Sequence, residues 1–554
     1  MSGAAAFQAA VALHRSGRLR EAERAYADIL RKSEDHSAAA HGLGLICLQT
    51  GRPELAAQVL GRALKIDPSN AVAHHDYGLA LQALALHGEA LQSFERCLAL
   101  APDSAGAHFN RGCALLSLGR DEDAVAAFDA AIALNPQDAQ FRYVRANALL
   151  RSGRAREALA GFDSAIALRP DYFEAIHNRA NALRELDRLE EALAGYERAV
   201  ELRPNVALAA YNRAFALQDL GRLDEAMAGY KRAVALAPGF AEARKARGGL
   251  KLLLGRFEEG FADFEARLAD SDRALDPALR ALPYWDGRDL AGKTVVVHGD
   301  GAFGDLIQFS RYLPLLAGRG ARVVLLAPSR FHRVLSEADM KAGLAVEIGA
   351  AGGADLRCEL LSLPFLFRTT PDSIPPPANV VRRDRERISR WRTKIGEKGL
   401  KIGICWQGDP ARNIDRGRSV PLGQFAPLAQ VAGARLISLQ KKHGLDQLGG
   451  LPSGMNVETL GEDFDEGDGA FLDTAAVMQS LDLVVTSDTA VAHLSATLGR
   501  PTWIALRRAP EWRWLLERED SPWYPSARLF RQSENGNWGR VFADIARAAR
   551  EFRR

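Results

Sequence analysis

Two patterns of apolar and polar positions divide the chain. Up to residue 270 the pattern repeats with a period of 34 residues. Prolines fall at Pro68, Pro102, Pro136, Pro170, Pro204 and Pro238, and alanines at Ala22, Ala56, Ala90, Ala124, Ala158, Ala192 and Ala226. Glycines at Gly17, Gly51, Gly119, Gly153, Gly221 and Gly255 keep the same step, with Ala85 and Asp187 replacing two of them. An aromatic recurs at Phe94, Phe128, Phe162, Tyr196, Tyr230 and Phe264. Each unit reads as two helices: glycine ends the first, alanine admits close approach of the pair, and proline stops the second. No unit can bury its own apolar face, so the units must stack into a curved solenoid with an extended concave groove.

Beyond residue 270 short β-branched runs alternate with helical stretches. Thr294 to Val297 reads as a buried strand, followed by Gly299, Gly301 and Gly304 and then by Leu306, Ile307, Phe309, Tyr312 and Leu313 at helical spacing. The pattern predicts a helix over 306–317, a strand over 322–326, a helix over 331–338 and a strand over 344–348. Residues 358–367 read as a further strand and turn. A Pro-rich link at 371–377 leads to a basic helix over 382–398, read as a solvated face. Strands then restart at 401–406, 436–440, 481–486 and 502–506, and a tail helix over 541–552 closes the chain. Alternating βα units with short links mean parallel sheets. The expected fold class is an all-α repeat solenoid over 1–270, followed by two α/β halves over 271–385 and 386–554. Pro283 to Gly287 reads as a turn that docks the array to the first strand.

Composition narrows the class. Hydrophobic content of 47%, charged content of 25% and a net charge of +3 are those of an ordinary soluble protein and give no case for nucleic acid or membrane binding. The five cysteines form no CxxC pair, which argues against a structural zinc site or a disulfide framework and fits a reducing compartment. With no leader-like apolar core near Met1 and no run of roughly 18 apolar residues, a cytoplasmic location is expected.

Candidate chemistry gathers at three places. Strand, glycine turn and helix at 294–313 make the ligand-facing corner of a doubly wound sheet, where Gly304 lets a ligand approach and Asp305 faces it. Ser487, Asp488, Thr489 and Ala490 form a polar turn entering a helix, where hydroxyls and N–H groups can hold a diphosphate, with His493 four residues after Thr489. His493 also fits a buried histidine bonded to backbone. On the repeats, Asn110, Asn178 and Asn212 form a ladder able to hold an extended peptide backbone, and Arg111, Arg145, Arg179, Arg213 and Arg247 form a second row. Both rows also suit bonds between repeats and solvated charge, and for the arginine row that structural pairing is favoured over binding. Trp512, Trp514, Trp523 and Tyr524 read as packing, where the tail helix crosses the first sheet.

The period of 34 and its register resemble the tetratricopeptide repeat, over about seven units. Gly304-Asp305 after the first strand and Asp488-Thr489 through His493 resemble the motifs of heptosyltransferase-like GT-B glycosyltransferases. The whole chain is similar to bacterial repeat-fused transferases, including ones that glycosylate flagellin, and to O-linked N-acetylglucosamine transferases in architecture. The resemblance implies inverting, metal-free transfer from a nucleotide-sugar, with no cofactor, to a Ser/Thr hydroxyl of an acceptor protein held by the repeats. It makes Asp305 the base and His493 with Ser487–Thr489 the stabilisers of the leaving phosphate. Arg416 and Arg418, then Arg412, are the next phosphate ligands, and Gln440 would reach the nucleotide. Two other readings stand beside it: transfer to a lipid or polysaccharide, and a non-catalytic scaffold.

Overall fold

The structure, a computed structural model, describes residues 3–269, 275–328, 331, 334, 346–348, 352–378, 381–410, 415, 417–466 and 471–552. It divides into two compact units, Met1–Ala216 and Leu217–Arg554.

The first unit is built of paired helices, from Gly3–Arg15 with Leu19–Lys32 to Phe173–Glu185 with Leu189–Leu202. Helix starts are written into the repeat: Asn70, Ser104 and Asp138, spaced by 34, each accept from a backbone N–H in the first turn, at 3.0 Å from Ala73, 3.3 Å from Ala107 and 3.2 Å from Phe141. The turns are left-handed, with φ near +74° at Gly17 and Gly119; Ala85 and Asp187, at the same repeat position, are forced to +58° and +60°. Small residues set the helix spacing. A Cβ on Gly78 or Gly112 would lie 2.5 Å from the ring of Phe94 or Phe128. Where the first helix carries Ala146 or Ala180 instead, glycine moves to the facing helix, and a Cβ on Gly161 or Gly195 would lie 2.9 Å from the alanine Cβ.

The second unit begins with the helices Leu223–Leu236, Ala241–Leu253 and Phe257–Phe264 and continues into two parallel sheets. The first contains β1 (Thr294–His298), β2 (Arg322–Leu326), β3 (Val346–Ile348) and β4 (Leu356–Glu359), in the order β3-β2-β1-β4. The second contains β5 (Leu400–Cys405), β6 (Ala434–Ser438), β7 (Val457–Glu458), β8 (Leu483–Ser487), β9 (Thr502–Leu506) and β10 (Ala527–Arg531), in the order β10-β9-β8-β5-β6-β7. In both sheets the chain steps outward on one side of the founding strand and then returns to its other side. The reversal points, between β1 and β4 and between β5 and β8, leave crevices at the carboxyl ends of the strands, where ligands of doubly wound sheets bind.

Several elements differ from the sequence reading. The helix expected over 306–317 is two helices, Phe303–Phe309 and Leu313–Gly318, joined by a 3-10 turn at Ser310–Tyr312. Pro314 lacks the N–H that a continuous helix would need there. The strand and turn expected over 358–367 begin earlier: β4 spans Leu356–Glu359, and the chain turns helical at Leu360. Residues 344–345 and most of the helix expected over 331–338 lie outside the described residues. The Pro283–Gly287 stretch pairs with β4 as an extra edge: Trp285 N–H donates to Arg357 O (2.8 Å) and Arg357 N–H to Pro283 O (2.9 Å).

The basic helix is Arg385–Ile395, and its charge is not merely solvated. Asp473 Oδ1 accepts from Arg387 (2.6 Å), Arg390 (2.9 Å) and the buried Trp391 indole (2.6 Å), which fixes this helix to Leu472–Met478. The tail helix, Trp538–Glu551, does not cross the first sheet. It covers the second, with Phe542 against Phe425 (ring centroids 4.3 Å apart) in a core that includes Trp503 and Val485. The tryptophans themselves make the crossing. Trp512 and Trp523 pack on Phe309 of the first half and on Phe261 and Phe257 of the last repeat helix, with centroids 5.6 to 6.3 Å apart.

Candidate active site

The two crevices face each other. The Phe303–Phe309 helix after β1 packs on the Ala490–Thr497 helix after β8, so the motif carried by each half meets the motif of the other. Gly304 is needed there for contact within the chain: a Cβ would fall 2.7 Å from His493 Cδ2 and 3.4 Å from its Nε2. The space expected for a ligand at Gly304 is taken by the imidazole.

His493 is 6% exposed, stacked on Trp514 at 5.3 Å, with Nδ1 3.0 Å from the Tyr524 hydroxyl. Burial pushes its pKa down to about 4 against the pull of Asp488, and the Arg513 and Arg418 cations reinforce the fall. The ring is therefore neutral at pH 7, a hydrogen-bonding group and not a cation. Its partner is a side-chain hydroxyl, not backbone.

Asp305 enters the helix in its first turn. Its Oδ2 accepts from the Ala302 N–H at 2.7 Å, and its Oδ1 is paired with Arg513. Across from it, Arg418 bonds both the carboxylate of Asp488 (3.0 Å) and its carbonyl. Burial disfavours the charge on Asp488, but the Arg418 cation, joined by the Trp514 indole and Arg513, holds the carboxyl below its usual range. Thr489 precedes the helix but does not cap it; its hydroxyl lies 3.2 Å from that of Thr486. Ser487 Oγ is buried and has no hydrogen-bond partner among the described residues. Ala490 opens the helix, so the first-turn N–H groups at 490 and 491 stand beside these groups, while the Ala492 N–H donates to Thr489 O at 3.0 Å.

Gln440 follows β6 and lies against the residues just after β5, with its amide turned to the backbone. Oε1 accepts from the N–H groups of Trp406 and Gln407, both at 3.1 Å, and Nε2 donates to Gln407 O at 2.8 Å. It shapes the end of β5. Arg416 and Arg412 lie outside the described residues.

Arg513 is the site residue that the sequence reading missed. It stands between Trp512 and Trp514 on a 3-10 turn, is 7% exposed, and lies 4.4 Å from the Trp512 ring centroid. The signal was an arginine inside an apolar, tryptophan-rich stretch, which is costly unless it is paired.

On the first unit both side-chain rows are bonded between repeats. Asn110 Nδ2 reaches His75 Nε2 (2.9 Å), Asn212 Nδ2 reaches His177 Nε2 (2.9 Å), and Asn178 Nδ2 reaches Asn147 Oδ1 (2.8 Å). Arg145 and Arg179 pair with Asp129 and Asp163 at 2.5 Å, and Arg213 with Glu197 at 3.1 Å, each 16 residues back. In the second unit Arg247 finds Lys231 at that spacing and turns forward to Asp263 (2.7 Å).

Residues 4–71, 76–139 and 114–173 match the tetratricopeptide repeat family, as do 180–221 and 207–240. The N-terminal array is a run of tetratricopeptide repeats. The chain is 26% identical over 318 residues to protein FlbA of Caulobacter vibrioides, covering 52% of this chain and 51% of that one. It thus spans about half the length of the curated relative it matches. Among solved structures it is similar to the C-terminal part of a repeat protein from Cytophaga hutchinsonii (17% identity, 43% of this chain and 97% of that chain, TM-score 0.37). It is also similar to MamA from Desulfovibrio magneticus RS-1 (21% identity, 31% and 98%, TM-score 0.30). No described helix is long and apolar enough to cross a membrane.

Proposed function

We propose that the chain is an inverting, metal-independent glycosyltransferase of GT-B architecture. It moves a sugar from a nucleotide-sugar to a Ser/Thr hydroxyl of a protein recruited by the repeats, with flagellin the first acceptor to test. The observation that carries this reading is the contact between Gly304-Asp305 and the Asp488–His493 turn, two motifs nearly 200 residues apart in sequence. A transferase needs acceptor and donor loops at one place, and the reversal points of two doubly wound sheets supply that.

In this reading the donor phosphates lie against Ser487, the N–H groups opening the Ala490–Thr497 helix, and Arg418. The acceptor oxygen attacks the anomeric carbon as the Asp305 carboxylate takes its proton. The bond from that carbon to the phosphate oxygen breaks, and the nucleotide leaves with the electron pair. Neutral His493, held through Nδ1 by Tyr524, turns its Nε2 edge toward Gly304 and would hydrogen-bond the leaving oxygen instead of carrying charge. The Asn110, Asn178 and Asn212 ladder would contact the acceptor with its remaining amide capacity, which at Asn178 is one carbonyl lone pair, since its Nδ2 donates to Asn147 and Tyr143 and its Oδ1 accepts from Asn181.

The test is intact-mass analysis of flagellin incubated with the full chain and a panel of nucleotide-sugars, in the presence of EDTA. The expected product carries the added mass of a sugar residue, and Asp305→Ala should lower the rate by roughly 10²–10⁴-fold. Transfer by Asp305→Ala at the wild-type rate would remove Asp305 as the base. Loss of transfer in EDTA that added metal restores would overturn the metal-free chemistry.

A further inference from the structure

Arg513 is overcommitted for a structural arginine. Glu511, on the same turn, already neutralises it: its carboxylate pairs with the guanidinium and also accepts the Arg513 N–H at 3.0 Å. The guanidinium also reaches out of the tryptophan stretch to Asp305, a carboxylate more exposed (22%) than Arg513 itself (9% for the side chain). Its Nε is buried without a hydrogen-bond partner among the described residues, as are Arg418 Nε and Ser487 Oγ. Three donors thus have no acceptor among the described residues, while the acceptor-side carboxylate is engaged on both oxygens, by Ala302 N–H and by Arg513.

Charge completes the picture. Asp305, Asp488 and Glu511 face Arg418 and Arg513 around His493, and Asp488 acts on Arg513 as well as on Arg418. Arg418 is fixed to Asp488 by two bonds to the same residue. A phosphate arriving beside Ser487 would therefore find one guanidinium with an exchangeable partner.

We propose that Arg513 is a latch shared between the two substrates' sites. Without donor it bonds Asp305; with donor it turns to the phosphate and leaves the Asp305 carboxylate open to the acceptor hydroxyl. The proposal rests on the transferase reading above and deepens it. It makes the base available only after the donor is bound, so that acceptor chemistry waits for the donor. Phe309 and Trp512, at 5.4 and 4.4 Å from the guanidinium carbon, give the cation a π surface on which to turn.

Competition for one guanidinium has a signature that a purely structural ion pair lacks: weakening the Asp305 end should tighten nucleotide binding. Isothermal titration of the full chain with UDP, GDP, ADP and CMP identifies the nucleotide bound by the wild type. For that nucleotide, Asp305→Asn should bind on the order of tenfold tighter. The gain should vanish when Arg513→Lys or Arg513→Gln is added, and the bare nucleoside should bind the wild type and Asp305→Asn alike. Unchanged or weaker nucleotide binding by Asp305→Asn would overturn the latch while leaving the transferase reading intact. Should the Arg513 variants not fold, the Asp305→Asn comparison and its nucleoside control decide alone. Failure of the wild type to bind any of the four nucleotides would remove both.

Discussion

Gly304 and His493 occupy one another's space: the imidazole edge lies where any side chain at position 304 would begin, 2.7 Å from the Cβ that glycine lacks. The ring cannot yield easily, since it is stacked on Trp514 and tied to Tyr524. This contact joins the helix after β1 to the helix after β8.

Gly304→Ala should therefore act as an overpacking change, lowering stability by about 1–3 kcal/mol. His493→Ala in the same chain should recover part of that loss by vacating the space. Urea denaturation of the single and double variants measures the coupling. Equal and additive effects would mean that the two residues are not in contact.

The amide ladder carries a double expectation. Replacing Asn110, Asn178 and Asn212 together by Ala removes hydrogen bonds between repeats, each worth about 1 kcal/mol, so the melting temperature should fall. In the proposed function, acceptor capture should fall as well while hydrolysis of the nucleotide-sugar is spared. Capture and hydrolysis falling in parallel would mark the ladder as structural alone.

Two buried histidines set an acid limit. Burial lowers the pKa of both His177 and His493 to about 4. A histidine whose folded pKa lies below its unfolded value of about 6.5 favours folding in its neutral form. Its contribution is complete above pH 6.5 and is lost as pH falls toward 4, because the unfolded chain takes the proton first. Each site would cost up to ~3 kcal/mol over that window. The melting temperature should drop between pH 6.5 and 4, and less steeply in His177→Asn. A flat profile through that window would contradict the burial of these rings.

Ala85 and Asp187 hold the left-handed turn that glycine holds in the neighbouring repeats. Ala85→Gly and Asp187→Gly should each stabilise the array, by about 1 kcal/mol, since a side chain in that region costs about 1–2 kcal/mol and glycine returns part of it as unfolded-state entropy. Thermal melts of the two variants check the sign.

The array was legible because its information is local and repeated: each proline stops a helix, each alanine admits close pairing, and each glycine marks its own turn. Strands such as Thr294–His298 were legible from β-branched runs bounded by glycine. Long-range consequences were not legible. No local pattern says that Gly304 would face His493, that Gln440 would spend its amide on Trp406 and Gln407, or that Asp473 would gather three donors from the basic helix. The tryptophan stretch reads as packing, but nothing local marks which of its arginines is buried. Only the fold brings Arg513 to Asp305, 208 residues away.

A thermal-shift panel of UDP, GDP, ADP, CMP and their sugars tests the central claim most directly. The wild-type chain should be stabilised by one nucleotide class, and His493→Ala should lose that shift although it remains folded. A wild type indifferent to every member of the panel would contradict a donor site at Ser487–His493 and leave the α/β half as a scaffold for the repeats.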